Sequence, residues 1–114
     1  MHEFSVAQEI LRIVGQEQYR HGFASVAAIR LKAGALSGID GACLRYAFEV
    51  VREGTCAAGA ELEMEVEALR VVCRTCGHAM DGSHGPRACG RCGGTDLRID
   101  GSSGFEIVSL EVDT

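Results

Sequence analysis

Cys73-Arg74-Thr75-Cys76-Gly77 and Cys89-Gly90-Arg91-Cys92-Gly93 each place two thiols on one tight turn, with twelve residues between the turns. Two residues between cysteines let both sulfurs reach one tetrahedral ion at about 2.3 Å, and the neighbouring glycines let backbone N–H groups approach the thiolates. The reading is a structural Zn(II) on Cys73, Cys76, Cys89 and Cys92. A closed four-sulfur site has no open position for substrate, which argues against catalytic zinc. The same thiolates can hold iron, or act as a pair of redox dithiols, because spacing alone does not choose the metal. His78 and His84 lie inside the block as possible substitute ligands, with solvated loop histidines as the plainer reading.

Outward from the cysteines, Gly77, Gly82 and Gly85 leave the insert little apolar surface, so metal binding must supply most of its folding energy. Before it, Leu62, Met64 and Val66 alternate with Glu61, Glu63, Glu65 and Glu67, the pattern of a strand with one wet face. That acidic face suits a docking surface, or simply solvent. After it, residues 97–99 and 105–112 read as strands around Gly101-Ser102-Ser103-Gly104. Nearer the start, Ser5 and Gln8 form a capping box ahead of Val6, Ile10, Leu11 and Val14, predicting a helix over 6–21 stopped by Gly22. Residues 25–35 predict a strand with Ala27, Ile29 and Leu31 on one face. Asp40 can cap a second helix whose stripe is Leu44, Ala47, Phe48 and Val51 and which Gly54 closes. Cys43 reads as a small buried hydrophobe beside that stripe and Cys56 as a loop cysteine open to solvent. The expected fold class is α+β: two helices packed on a three-stranded sheet, with an inserted zinc-ribbon-like four-cysteine module. Residues 1–72 and 97–114 form the larger domain and 73–96 the zinc-binding one.

The 114-residue length suits one modest core plus a metal staple. No run approaches the roughly 20 apolar residues of a membrane span, and the start lacks signal-peptide order, so a cytoplasmic protein is expected. In that reducing compartment six cysteines suit metal better than disulfides. Eleven basic residues scattered among sixteen acidic ones, for a net charge of −5, argue against nucleic acid as a partner. No nucleophile, base and orienter set stands out, so the chain does not read as an enzyme.

The opening Met1-His2-Glu3 gathers an α-amino group, an imidazole and a carboxylate around an intervening amide. Deprotonated, these nitrogens form chelate rings suited to a square-planar ion such as Ni(II), and Cu(II) fits the same donors. An imidazole must be neutral to ligate, so affinity is expected to fall in mild acid.

Met1-His2-Glu3-Phe4-Ser5, Gly34-Ala35-Leu36-Ser37-Gly38-Ile39-Asp40, Leu44-Arg45-Tyr46-Ala47-Phe48-Glu49 and the two CxxC turns together resemble the HypA/HybF family of nickel metallochaperones. The resemblance implies that the larger domain carries Ni(II) as cargo, with His2 as essential ligand, Glu3 and the Met1 terminal amine beside it, and Asp40 as a further candidate. It also implies the four cysteines as the zinc set. Implied partners are the GTPase HypB and the [NiFe] hydrogenase large subunit, with urease maturation proteins as a further destination. The linker between the CxxC pairs lacks the aromatic residues often found in the family. The alternative reading is a zinc-ribbon protein or nucleic-acid interaction module.

Overall fold

In the computed structural model, which describes residues 2–114, the contacts divide the chain into two compact units. Of the described residues, the first holds 2–32, 39–65 and 105–114, and the second 33–38 and 66–104.

The first unit opens with α1, His2–His21, which buries Ala7, Ile10 and Val14 at helical spacing. It starts four residues earlier than the capping box predicts, so Ser5 lies inside the helix rather than at its cap. Glu3 in the first turn complements the helix dipole there. Gly22 ends the helix at φ 73°, its N–H bonded to the Gln18 carbonyl at 2.8 Å. Strand β1 follows at Ser25–Ala33, then α2 at Gly41–Val51 and β2 at Glu61–Val66. Helix α2 buries Leu44, Ala47 and Phe48, its expected stripe. The last strand of the chain, Phe105–Asp113, joins the same sheet and is numbered β6, with β1 in the centre between β2 and β6. The core gathers Ile10, Val14, Ile29, Leu31, Leu44 and Phe48, with Phe105, Ile107 and Leu110 packed against it.

Strand β1 departs from its expected alternation. Ala27 is exposed, while Val26, Ala28, Ile29, Leu31 and Ala33 are buried, so the pattern changes phase between Ala28 and Ile29. The ladder explains it. Ala24 N–H bonds to the Asp113 carbonyl and Gly34 N–H to the Gly104 carbonyl, which sets β1 and β6 antiparallel with β1 one residue longer between the two bonds. That extra residue is a bulge, and a bulge moves every later side chain to the other face.

The second unit is a small sheet in the order β4-β3-β5, made of Arg70–Cys73 (β3), Ala79–Asp81 (β4) and Leu97–Asp100 (β5). Both pairings are antiparallel, with Val71 opposite Met80 on one side and Ile99 on the other. The sequence reading of residues 97–99 as a strand is right in type, but its partner is β3 of this second sheet. Val66, third of the expected inward set on β2, is 54% exposed, because the chain leaves the first unit after Glu65. Residues 33–38 join this unit through the Leu36 N–H to the Ser102 carbonyl at 2.8 Å. Gly34 permits that approach: a Cβ there would lie 2.2 Å from the Ser102 carbonyl oxygen. The cysteine unit therefore recruits chain beyond residues 73–96.

Candidate metal centres

The two CxxC turns fold as one knuckle used twice. In the first, Gly77 N–H bonds to the Cys73 carbonyl at 2.8 Å and Cys73 N–H to the His78 carbonyl at 2.9 Å. In the second, Gly93 N–H bonds to the Cys89 carbonyl at 2.9 Å and Cys89 N–H to the Gly94 carbonyl at 2.7 Å. Gly77 and Gly93 sit at φ 79° and 74°, a left-handed turn that closes each knuckle at little steric cost.

This repetition brings the four sulfurs within 4.8 Å of one another, with Cys73 Sγ to Cys92 Sγ and Cys76 Sγ to Cys89 Sγ both at 3.6 Å. A tetrahedron with metal–sulfur bonds of about 2.3 Å has edges of about 3.8 Å, so the donor set fits such an ion. Cys73 and Cys89 are buried, Cys76 and Cys92 exposed. Backbone N–H groups already point at the sulfurs: Arg91 and Cys92 donate to Cys89 Sγ at 3.3 and 3.4 Å, and Gly94 to Cys92 Sγ at 3.4 Å. A Cβ on Gly94 would stand 3.2 Å from Cys92 Sγ, so glycine is what lets its N–H close on the cluster.

Electrostatics sets Cys73 and Cys89 apart from Cys92. The N–H groups of Cys92 and Arg91 hold Cys89 down to about 6, and the Cys76 N–H lowers Cys73. At Cys92 the Gly94 N–H pulls downward, but the neighbouring Cys73 thiol and desolvation outweigh it and push the group up to about 11. Thiolates packed this closely cannot all ionise without a cation among them. Among the described residues this is the one group of three or more His, Cys, Asp and Glu side chains close enough to share an ion. His78 and His84 stand outside it.

At the other candidate centre, Met1, with its terminal amine, lies outside the described residues. His2 and Glu3 stand side by side on the first turn of α1, with His2 Nε2 3.8 Å from Glu3 Oε2. The His2 side chain is about half exposed (53%) and Glu3 nearly covered (15%). The helical start does not consume the His2 amide, because the first four N–H groups of a helix have no intrahelical partner. Glu3 is further held by the Asp40 N–H, which donates to its Oε2 at 3.4 Å. Its own backbone N–H and then that of Asp40 lower its pKa.

The Asp40 carboxylate itself caps α2, accepting from Ala42 N–H at 3.0 Å and Cys43 N–H at 3.2 Å. Asp40 is therefore both a cap and a neighbour of the His2–Glu3 pair, linked through its N–H. No sequence pattern announces that tether, since 37 residues separate Glu3 from Asp40. Cys43 is exposed rather than buried, because it falls off the Leu44, Ala47, Phe48 stripe, and the Asp40 carboxylate raises its thiol. Cys56 corrects the other way: it is partly buried and packs against the core.

Comparison with known proteins agrees with these features. The family model described as "Hydrogenase/urease nickel incorporation, metallochaperone, hypA" matches residues 1–112. The chain is 40% identical to hydrogenase maturation factor HypA of Cereibacter sphaeroides, over 98% of this chain and 99% of that protein. It is 31% identical to hydrogenase maturation factor HybF of Salmonella typhimurium, over 99% and 100%. The solution structure of the Ni metallochaperone HypA from Helicobacter pylori shares the fold, with a TM-score of 0.66 at 22% identity over 99% of this chain and 98% of that one. Two helices with a three-stranded sheet, a four-sulfur cluster and a whole-length match to metal-delivery proteins rather than catalysts lead to one assignment: the chain belongs to the HypA/HybF family of hydrogenase maturation metallochaperones.

Proposed function

We propose that the chain carries Ni(II) at its N-terminus and gives it up for maturation of the [NiFe] hydrogenase large subunit, working in the cytoplasm with the GTPase HypB. His2 supplies imidazole nitrogen, Glu3 carboxylate oxygen and Met1 its terminal amine, with Asp40 as a further candidate ligand once it releases its cap. Urease maturation proteins are a second destination for the same cargo. Zn(II) sits on Cys73, Cys76, Cys89 and Cys92 as a structural ion.

The observation that carries the nickel reading is the His2–Glu3 pair, 3.8 Å apart on the first helical turn and tied by Glu3 to the Asp40 N–H. A half-exposed imidazole beside a fixed carboxylate suits a carrier: the ion binds without a buried cage and leaves by exchange with a partner's ligands. The four cysteines suit the opposite task, since no position in a four-sulfur site is left for exchange.

The test is a calorimetric nickel titration of untagged, zinc-loaded protein beside His2→Ala. One equivalent bound by the parent and none by the variant is the expected result. Equal binding by both would move the nickel site elsewhere. No binding by either, with salt-sensitive nucleic-acid binding in its place, would restore the zinc-ribbon interaction module.

A further inference from the structure

The two outer strands of the first sheet are finished differently. On the β2 side, Arg45 of α2 and Arg52 at its C-cap reach the edge: Arg45 Nε donates to the Leu62 carbonyl at 3.2 Å and Arg52 Nη1 to the Ala60 carbonyl at 2.6 Å. Those acceptors are then unavailable to another strand, a common protection of a sheet edge. On the β6 side, no strand follows among the described residues. Strand β6 runs nine residues, Phe-Glu-Ile-Val-Ser-Leu-Glu-Val-Asp, with no Pro, Lys or Arg to blunt it.

Beside this edge lies a groove of about 580 Å³ between the C-terminal half of α1 and β6. Ile13, Phe23, Ile107, Leu110 and Val112 line it, and Val108 on the edge is 60% exposed. Glu17, also on its wall, is paired with Arg20 at 3.3 Å, and its carboxylate lies 3.2 Å from His21 Nε2. On the strand, Glu106, Glu111 and Asp113 are all exposed and make no ion pair among the described residues.

We propose that β6 is a docking edge for an extended segment of a partner protein that alternates apolar and basic residues and joins the sheet as a fourth strand. Backbone bonds along β6 bind the segment, its apolar residues fill the groove, and its basic residues meet Glu106, Glu111 and Asp113. Charge selects this occupant over a second copy of the chain. A copy paired through β6 would bring the same three carboxylates alongside these, in a chain of net charge −5. None of these residues is a candidate ligand of either metal centre.

The probe is a fluorescent nonapeptide alternating Val and Lys, compared with its Val and Glu counterpart by anisotropy on the full-length, zinc-loaded protein at low salt. The lysine peptide should bind about 10-fold or more tightly than the glutamate one, the scale of several opposite-charge pairs. It should slow amide exchange across residues 105–113. Ile13→Glu, in the groove, and Glu111→Lys, on the exposed edge, should each weaken it. Equal binding of both peptides, binding of neither, or protection outside residues 105–113 would overturn the proposal. So would sedimentation showing that the chain dimerises through β6 without any peptide.

Discussion

The two units reach stability by different routes. The first buries Phe48, Ile10, Ile29, Leu31, Leu44 and Val14 almost completely, between two helices and a sheet. In the second, the buried hydrophobic residues are Ala33, Val71, Cys73 and Cys89. A unit with two of its four buried apolar positions given to cysteine does not hold a fold by the hydrophobic effect alone. An ion among the four sulfurs has to supply what the missing core does not. The contrast extends to exchange: the sulfur cluster is closed and half buried, whereas the His2–Glu3 pair faces solvent on one side.

The largest effect should come from removing the metal. Cys89→Ser, or chelation of the parent, should abolish amide protection across β3, β4 and β5 while α1 and α2 keep theirs, because structural zinc contributes about 10–16 kcal/mol in comparable modules. Protection that survives in β3 without metal would break the contrast. Next in size, Phe48→Ala should lower stability of the first unit by about 3–5 kcal/mol in urea, with zinc content unchanged. Loss of zinc in that variant would show the two units to be one cooperative block.

Capping at the second helix is smaller. Asp40→Ala should cost about 1 kcal/mol in thermal unfolding and Asp40→Asn a few tenths, since asparagine caps as well as aspartate. An asparagine variant as damaged as the alanine one would mean that the charge, not the cap, matters. The finest test is acid. The Cys89 thiol lies at about 6, below the ordinary thiol value of 9.0, so deprotonated Cys89 stabilises the folded unit fully above the ordinary value. That contribution is lost as pH falls through about 6. Protons compete with the ion for these thiolates, so acidification should release zinc, followed with a chromogenic chelator; zinc content unchanged on acidification would contradict a thiolate site.

Much of this was legible because it is local. The helical stripe Leu44, Ala47, Phe48 and the knuckle glycines Gly77 and Gly93 obey rules that span a few residues, and the structure keeps them. The failures also share a cause. Ala27 was expected inside, but a bulge in the β1–β6 ladder reverses the face, and a bulge is a property of two strands far apart in sequence. Cys43 and Cys56 exchanged their expected exposures because stripe membership and loop packing are settled by neighbours, not by residue type. Strand β5 looked like a partner for the main sheet, yet pairs with β3.

By itself the sequence determined that two CxxC turns would bring four sulfurs together, that two helices would cover a sheet, and that a histidine and a carboxylate would stand side by side at positions 2 and 3. Each depends on spacing along the backbone, which covalent geometry and hydrogen-bond periodicity translate directly into direction. The tertiary structure alone decided that Asp40 lends its N–H to Glu3, that Gly34 meets Ser102 at a distance no side chain tolerates, and that arginines close one sheet edge while the other stays open. Those outcomes depend on which distant segments share the same space, and packing decides that only when the whole chain has folded.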